Sequence, residues 1–288
     1  MRAPDPSYKD RALAAFASVS PTPGSAKPDA IIVADQVTRR FGGLTAVKVN
    51  HVEIQRGSIT ALIGPNGAGK TTFFNLLTGF DSADEGCWTF NGEQISGIAP
   101  HKVARKGMVR TFQLTKALFR LSVLDNMRLA ATAQRGESFI RGLFPFIWKK
   151  QEEEITEQAL ELLTRFKLID KRDDFAAALS GGQRKLLEMA RALMVKPEIV
   201  MLDEPMAGVN PALKQSLLGH IKDLRDEGMT VLFVEHDMDM VRDISDWVIV
   251  MAEGKIVAEG IPDAVMGNQA VIDAYLGAHH NLSLDTGR

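Results

Sequence analysis

The stretch Gly64-Pro65-Asn66-Gly67-Ala68-Gly69-Lys70-Thr71-Thr72 decides the fold of this chain. It matches the pattern G-x-x-x-x-G-K-[ST], in which glycines let backbone N–H groups come close to phosphate oxygens. Lys70 brings a compact positive charge to the β- and γ-phosphates, and the Thr71 hydroxyl is placed to bind Mg²⁺. The pattern predicts a loop that holds a nucleoside triphosphate, and we assign all nine residues to that site.

The residues on either side of the loop supply the context that this motif needs. Residues 58–63 form a strand-like run with β-branched side chains, and residues 73–78 read as the first turns of a buried helix. A loop between a strand and a helix N-terminus gathers amide dipoles around an anion. The stretch therefore predicts an α/β fold built around a phosphate-binding loop.

Composition excludes several other classes of protein. The chain has 288 residues, 45% of them hydrophobic and 24% charged, as in an ordinary globular protein, and its net charge of −2 gives no overall footprint for nucleic acid. A single cysteine, Cys87, excludes an intrachain disulfide and fits a reducing compartment. Apolar runs of about 18 residues are absent and the N-terminus carries no convincing secretory signal, so we expect a cytosolic protein without membrane-spanning helices.

The order of patterns along the chain predicts its organisation. Residues 1–29 are rich in Pro, Ala and Ser and predict a disordered N-terminal tail. Strand patterns flank the loop, with an Asn-Gly hairpin signal at residues 91–92. Residues 152–166 place apolar side chains on one helical stripe. Apolar runs at residues 199–202, 230–234 and 247–251, separated by helical segments, predict a parallel sheet that is buried on both faces.

Two of these apolar runs end in residues that suit phosphate chemistry. Asp203 and Glu204 follow one run, and His236 follows the next between two acids. Chemistry in such sheets lies at the carboxyl ends of the strands. Asp203 is therefore a candidate to support Mg²⁺, and Glu204 is a candidate to polarise an attacking water.

A second glycine-rich stretch, Leu179-Ser180-Gly181-Gly182-Gln183, precedes a predicted helix over residues 184–193. Its small residues allow the Ser180 hydroxyl and the backbone amides to approach a phosphate, with the helix N-terminus directed at the anion. Taken alone, the stretch is also consistent with an ordinary N-cap, in which Ser180 satisfies the free amides of the helix.

Together these motifs resemble the nucleotide-binding subunits of ABC transporters over residues 31–277. The resemblance implies a RecA-like P-loop NTPase core with an antiparallel β subdomain and an inserted α-helical subdomain at about residues 114–178. The domain would span residues 30–280 and be followed by a C-terminal tail at residues 281–288.

The resemblance also implies a role for individual residues and ATP with Mg²⁺ as the ligands. Phe41 is similar to the aromatic residue that stacks on adenine, although Tyr is commoner there. Gln113 is similar to the glutamine that reaches the metal and the attacking water. The implied catalytic residues are Glu204, His236, Gln113 and Lys70; the implied metal ligands are Thr71, Gln113 and Asp203; the implied contacts to a nucleotide on the opposite subunit are Ser180, Gly181, Gly182 and Gln183.

One departure from the commonest pattern indicates which branch of the family the chain resembles. Asn210 stands where most members have Asp, within the sequence Ala-Gly-Val-Asn-Pro. This sequence, Arg-Thr-Phe-Gln-Leu-Thr-Lys at residues 110–116 and the ending at residues 271–277 resemble LivG-type ATPases of branched-chain amino-acid importers. The implied partners are a second ATPase subunit (LivF-like, or a second copy of this chain), two membrane permease subunits and, indirectly, an extracytoplasmic solute-binding protein. The chain would lie at the cytoplasmic face of the membrane.

An aromatic run at residues 139–148, around Phe144, leaves two interpretations open. It is either a hydrophobic cluster beneath a loop or a docking surface for a partner.

Other functions remain as alternatives. The chain resembles ATPases of lipopolysaccharide exporters and of urea importers in the same short motifs. A soluble ABC ATPase acting on nucleic acid or ribosomes is disfavoured because the chain carries one cassette and no zinc-site pattern. We interpret its local basic set as a solvated helix face; the set comprises Lys102, Arg105, Lys106 and Arg110. A purely non-catalytic binding module is disfavoured by the presence of both Glu204 and His236.

Overall fold

The computed structural model describes residues 8–111, 118–131 and 145–275, with ten strands, nine α-helices and a further helical stretch at residues 269–275. The strands are β1 (Ala30–Phe41), β2 (Leu44–Gln55), β3 (Ile59–Ile63), β4 (Glu85–Phe90), β5 (Glu93–Gln94), β6 (Met108–Arg110), β7 (Ile199–Asp203), β8 (Thr230–Val234), β9 (Trp247–Ala252) and β10 (Lys255–Gly260). The helices are α1 (Tyr8–Phe16), α2 (Lys70–Leu77), α3 (Pro100–Arg105), α4 (Val123–Ala130), α5 (Pro145–Arg165), α6 (Gly181–Leu193), α7 (Pro211–Asp226), α8 (Met238–Ile244) and α9 (Pro262–Met266).

The central sheet has the strand order β10-β9-β3-β8-β7-β6. Its strands from β9 to β6 pair in parallel, and β10 pairs antiparallel with β9 at the edge. Every residue of β3, β7 and β8 is buried, as the continuous apolar runs predicted. The carboxyl ends of β3, β7 and β8 therefore meet at one edge of the sheet, where the loop and the acidic residues follow.

Alternate residues of the central strands supply two separate cores. Ile59, Ala61 and Ile63 of β3 belong to a core shared with helices α4–α8, whereas Leu62 belongs to a core shared with the antiparallel sheet and α2. The period of two along a strand sends neighbouring side chains to opposite faces. Each large apolar side chain buried in this way contributes about 1.5–3 kcal/mol. The sheet is thus covered on both faces.

The second sheet is antiparallel, with the order β2-β1-β4-β5. Asn91 and Gly92 form the turn between β4 and β5 with φ values of 52° and 74°, in agreement with the predicted hairpin. The amide of Lys48 in β2 donates to the carbonyl of Gly254, 2.7 Å away, and so ties this sheet to the β9–β10 turn.

Helices α4 and α5 lie in the described part of the region between residues 114 and 178. Ala159, Leu163 and Phe166 are fully buried, and Ile155 and Leu162 pack against them, which confirms the predicted stripe. Helix α5 begins at Pro145 rather than near residue 152. The boundaries of a helical subdomain at about 114–178 stay a prediction.

The prediction of a disordered tail is wrong for residues 8–29. Helix α1 buries Phe16, whose ring stacks on Trp247 with centroids 4.6 Å apart. The Lys27 ammonium lies 3.0 Å from the Glu259 carboxylate, with side chains 1% and 0% exposed. We call residues 8–29 the N-terminal strap. Its proline and serine content predicted disorder, but contacts with β9 and β10 provide the apolar burial and charge pairing that local composition could not reveal.

His51 joins the strap to the antiparallel sheet. Its Nδ1 lies 2.5 Å from Asp35 Oδ1 and its Nε2 3.2 Å from Glu53 Oε1, while Glu53 also accepts the amide of Lys27. Burial by itself lowers the pKa of His51, but the hydrogen bonds and charges of Asp35 and Glu53 outweigh it and raise that pKa above 6.5.

We expect this triad to make stability depend on pH. Because the folded pKa of His51 is raised, its contribution is fully present below pH 6.5 and is lost as pH rises through the folded value. The melting temperatures of the wild type and of a His51→Gln variant should therefore differ most in mild acid and converge in alkali. A constant difference across that range would contradict the assignment.

Candidate functional site

The predicted loop turns sharply between β3 and α2. Gly64 has a φ of 150°, and a Cβ placed there would lie 2.0 Å from the carbonyl oxygen of Met251. Gly69 has a φ of 97°, and a Cβ there would lie 2.3 Å from the carbonyl oxygen of Ala46. Both positions require glycine because of backbone conformation and close approach. The loop is therefore held tightly between β2 and β9.

Lys70 is buried at the first position of α2, with 6% of its surface exposed. Its ammonium donates to the carbonyl oxygens of Gly64 and Pro65, at 2.7 and 2.9 Å. Burial lowers the pKa of Lys70, and the negative charges of Glu204 and Asp203 oppose that shift. The cation is thus held inside the loop by neutral acceptors, which a phosphate oxygen would replace with a stronger, charge-assisted partner.

An open pocket of about 550 Å³ lies over this loop. That volume is within the usual range for small-molecule sites. Its walls come from five separate parts of the chain, namely residues 66–72, residues 44–46, Glu204, His236, and Glu253 with Gly254. The structure therefore brings the phosphate-binding loop and two of the predicted catalytic residues into one cavity.

Glu204 and His236 follow neighbouring strands and meet in that pocket. His236 Nε2 lies 3.1 Å from Glu204 Oε1, and an Nε2–H there donates to the carboxylate. Glu204 has a φ of 46°, a left-handed conformation that is strained for a residue with a side chain, by on the order of 1–3 kcal/mol. Its amide donates to the carbonyl of Val234 at 3.0 Å. Such strain is commonly found at functional sites.

Asp203 forms a buried ion pair with Arg110 at the edge of the sheet. Arg110 Nη2 lies 2.6 Å from Asp203 Oδ2, with side chains 5% and 6% exposed, and Arg110 Nη1 donates to Asn75 at 2.6 Å. Arg110 is therefore not part of a solvated helix face, as we predicted for the basic set, because it lies on β6 and is turned inward by Asp203. Without Arg110 the local basic set is smaller, which further weakens the alternative that the chain acts on nucleic acid.

Ser180 begins α6 as part of a capping box. Its hydroxyl accepts the amide of Gln183 at 3.2 Å, and the Gln183 side chain accepts the amide of Ser180 at 3.0 Å. The N-cap interpretation is therefore correct for the chain by itself. Ser180 is exposed and does not line the pocket. Gly182 packs against Leu213 of α7, whose Cδ2 would lie 1.8 Å from an added Cβ.

Other predicted residues occupy different positions. Phe41 ends β1 half exposed, with the Arg39 guanidinium 4.6 Å from its ring centre, and Leu44, Thr45 and Ala46 line the pocket instead. Asn210 caps α7 by accepting the amide of Leu213 at 2.9 Å. Gln113 and the aromatic run up to Phe144 lie outside the described residues.

Several further residues around the site carry no motif in the sequence. Glu253 and Gly254 line the pocket from the β9–β10 turn, and Lys185 and Glu235 contact the chain next to Glu204. Burial raises the pKa of Tyr275 to about 12, although the nearby amide of Gly64 lowers it, so the helical residues 269–275 reach the start of the loop. These contacts join distant segments and have no local sequence signal.

The donor chemistry of the site fits a phosphate ligand and a hard cation. Thr71 lines the pocket beside Lys70. Asp203 is the last residue of β7. Hydroxyl and carboxylate oxygens suit Mg²⁺. Within the described ranges, no cluster of three or more His, Cys, Asp or Glu residues could hold a metal without such help from a hydroxyl or a ligand. The fold and pocket define the class of P-loop nucleoside triphosphatases.

Comparisons with known proteins narrow this class. The ABC transporter family model matches residues 47–207, and the model for the branched-chain amino acid ATP-binding cassette transporter matches residues 255–281. A crystal structure of the ADP conformation of an ABC transporter cassette is 37% identical, with a TM-score of 0.75, and covers 86% of this chain and 99% of that one. A nucleotide-free cassette is 36% identical, with a TM-score of 0.74.

Curated relatives agree with these matches. The probable branched-chain amino acid transport ATP-binding protein LivG of Archaeoglobus fulgidus is 41% identical over 86% of this chain and 96% of its own length. The high-affinity branched-chain amino acid transport ATP-binding protein BraF of Pseudomonas aeruginosa is also 41% identical, over 86% of this chain and 98% of its own length. The chain belongs to the ABC transporter family of ATP-binding cassettes, in its branched-chain amino acid group. It is thus an ATP-binding, ATP-hydrolysing subunit with the ABC ATPase fold.

Proposed function

We propose that this chain drives the uptake of branched-chain amino acids through separate permease subunits. The observation that carries the proposal is that the residues expected to bind nucleotide lie in two separate places on the chain. The phosphate loop, Glu204 and His236 share one pocket, whereas Ser180 and the start of α6 are exposed away from it. One chain therefore presents half of a site in its pocket and a complementary half elsewhere on its surface. The names of the curated relatives support the class of solute.

The pocket residues have distinct roles in ATP hydrolysis. Glu204 orients and polarises the attacking water, and His236 holds the Glu204 carboxylate in position through its 3.1 Å contact. Lys70 and the loop amides stabilise the charge that develops on the γ-phosphate. Thr71, Asp203 and Gln113 would hold Mg²⁺, which neutralises phosphate charge when bound. Phe41 would contact the base.

Two such chains, or this chain and a LivF-like subunit, would complete each other's sites. Ser180, Gly181, Gly182 and Gln183 would then contact the nucleotide held by the opposite loop. The Ser180 oxygen already accepts an amide within the capping box, so its own hydrogen remains available for a phosphate oxygen. Closing the dimer around two nucleotides is the step that would move the permeases.

An exposed apolar surface on the helical side is the proposed permease contact. Phe119 and Phe175 are 49% and 62% exposed, and the amide of Ala177 donates to the carbonyl of Phe119 at 3.3 Å. Exposed aromatic side chains on segments that are hydrogen-bonded to each other are typical of interaction sites. None of the described helices is long and apolar enough to cross a membrane. The chain would bind permeases at the cytoplasmic face, with an extracytoplasmic protein delivering the solute.

Uptake measurements in cells test this proposal. Deleting the gene for this chain should abolish high-affinity uptake of radiolabelled leucine, isoleucine and valine. The wild-type chain should restore uptake, and a Glu204→Gln chain should not. Purification of the tagged chain from membranes should bring down permeases and a second ATPase. Normal uptake of all three amino acids in the deleted strain would disprove the proposed solute class.

A further inference from the structure

Lys185 lies on the helix that begins at the exposed glycine-rich stretch, yet its side chain turns inward. In α6 it follows Ser180 by little more than one helical turn. Its ammonium donates to two successive carbonyl oxygens, those of Glu204 and Pro205, both at 3.0 Å. Lys185 therefore ties α6 to the main chain immediately after the proposed catalytic carboxylate.

Glu235 holds the same segment from the opposite direction. It is 5% exposed at the end of β8. One carboxylate oxygen accepts the amide of Met206 at 2.9 Å, and the other accepts the amide of His236 at 3.2 Å. A single buried carboxylate thus connects the chain that follows Glu204 with the chain that carries His236.

Electrostatics links the two side chains. Burial lowers the pKa of Lys185, and the charge of Glu235 opposes this most strongly, followed by the charges of Glu188 and Glu204. The three carboxylates offset part of the cost of burying the cation. Lys185 and Glu235 therefore form one cluster, which we call the Lys185–Glu235 clamp.

The clamp acts on a strained part of the backbone. Glu204 has a φ of 46°, and Val234 fixes its amide from β8. The clamp fixes the next polar groups along the chain, namely the carbonyls of residues 204 and 205 and the amide of residue 206. A strained conformation persists only when its surroundings determine it. These contacts fix the backbone immediately after the Glu204 side chain.

We propose that Lys185 and Glu235 are positioning residues that align Glu204 and His236 for hydrolysis and make that alignment depend on α6. The proposal rests on the hydrolytic role of Glu204 proposed above. The N-terminus of α6 faces the nucleotide of the other subunit in that arrangement. A shift of α6 therefore moves the Glu204 carbonyl through Lys185, which couples one site to the other.

Three substitutions test the clamp in the full-length chain. Lys185→Met removes the ammonium and keeps an unbranched side chain. Lys185→Arg keeps the charge and the donors. Glu235→Gln keeps the shape but replaces one acceptor oxygen with an NH₂ group that faces an amide. Lys222→Met is the matched control, since Lys222 is an exposed lysine on α7 that pairs with Asp243.

Three quantities are measured for each variant: kcat for ATP, the Kd of a fluorescent ATP analogue and the melting temperature. We expect Lys185→Met and Glu235→Gln to lower kcat by on the order of 10²-fold, because small misplacements of a catalytic group have effects of that size. The Kd should stay unchanged, because neither residue lines the pocket. Lys185→Arg should recover much of the turnover, and Lys222→Met should behave as wild type.

The possible outcomes separate this inference from the proposed function. Full turnover in Lys185→Met and Glu235→Gln, together with an inactive Glu204→Gln, would overturn the clamp and leave the function standing. Full turnover in Glu204→Gln would instead overturn the role of Glu204. A fall in kcat that follows melting temperature and is not rescued by Lys185→Arg would assign the clamp to stability alone. If Lys185→Met fails to fold, the kcat of the nearly isosteric Glu235→Gln variant tests the clamp by itself.

Discussion

Replacing Glu204 by Gln is expected to lower ATP turnover by about 10²–10⁴-fold, the usual contribution of a positioned general base. The amide has nearly the shape of the carboxylate and can still accept a hydrogen bond from His236. It cannot take a proton from water, and this is the property that the proposed mechanism requires. Nucleotide binding should persist because the loop and Lys70 are unchanged.

The measurements are kcat by phosphate release, Kd by a fluorescent nucleotide and dimer formation by light scattering with ATP present. The variant should accumulate as a closed dimer, since the step that reopens it is blocked. Glu161→Gln on the exposed side of α5 serves as a control for loss of a carboxylate elsewhere. Undiminished kcat in Glu204→Gln would remove Glu204 from the mechanism.

The second large effect concerns the N-terminal strap. Lys27→Met should lower the free energy of unfolding by about 3–5 kcal/mol, because it leaves the Glu259 carboxylate buried without its cation. Glu259 also accepts from the Trp247 indole at 3.0 Å and from the amide of Ser25 at 2.8 Å. Those neutral donors do not replace the charge. Urea unfolding followed by tryptophan fluorescence measures the change.

Two further variants test whether the loss of stability comes from the unpaired Glu259 charge. Lys106→Met breaks an exposed ion pair with Glu93 and should lower the free energy of unfolding by only about 0–1 kcal/mol. Adding Glu259→Gln to Lys27→Met removes the isolated charge and should recover part of the loss. Equal effects of Lys27→Met and Lys106→Met would show that the buried pair does not hold the strap.

The parts of the fold that sequence alone could predict are those with local signals. The glycine spacing at residues 64–69, the unbroken apolar runs of β7 and β8, and the Asn-Gly turn each carry their physical reason within a few residues. The pocket also followed from topology, since Glu204 and His236 end neighbouring parallel strands. Predictions of this kind need only the period of a strand and the conformational freedom of glycine.

The parts that were missed depend on partners far along the chain. Arg110 looked like one of several solvated cations, but it is buried against Asp203 on a neighbouring strand and Asn75 of α2. Lys27 lies in a proline-rich segment, and its partner Glu259 is 232 residues away. Lys185 and Glu235 are ordinary charged residues until the fold places them beside Glu204. Composition describes such residues by type and cannot supply the contact that decides their role.

The pairing of Lys27 with Glu259 has a consequence for biosynthesis. A ribosome adds about 5–20 residues per second, so the 232 residues between these partners take roughly 10–50 s to synthesise. During that time Phe16 and Lys27 have emerged from the ribosome while Trp247 and Glu259 do not yet exist. The N-terminal strap is therefore made well before the strands on which it docks. Until then its apolar residues are open to chaperones and proteases, and completion of β10 ends that exposure.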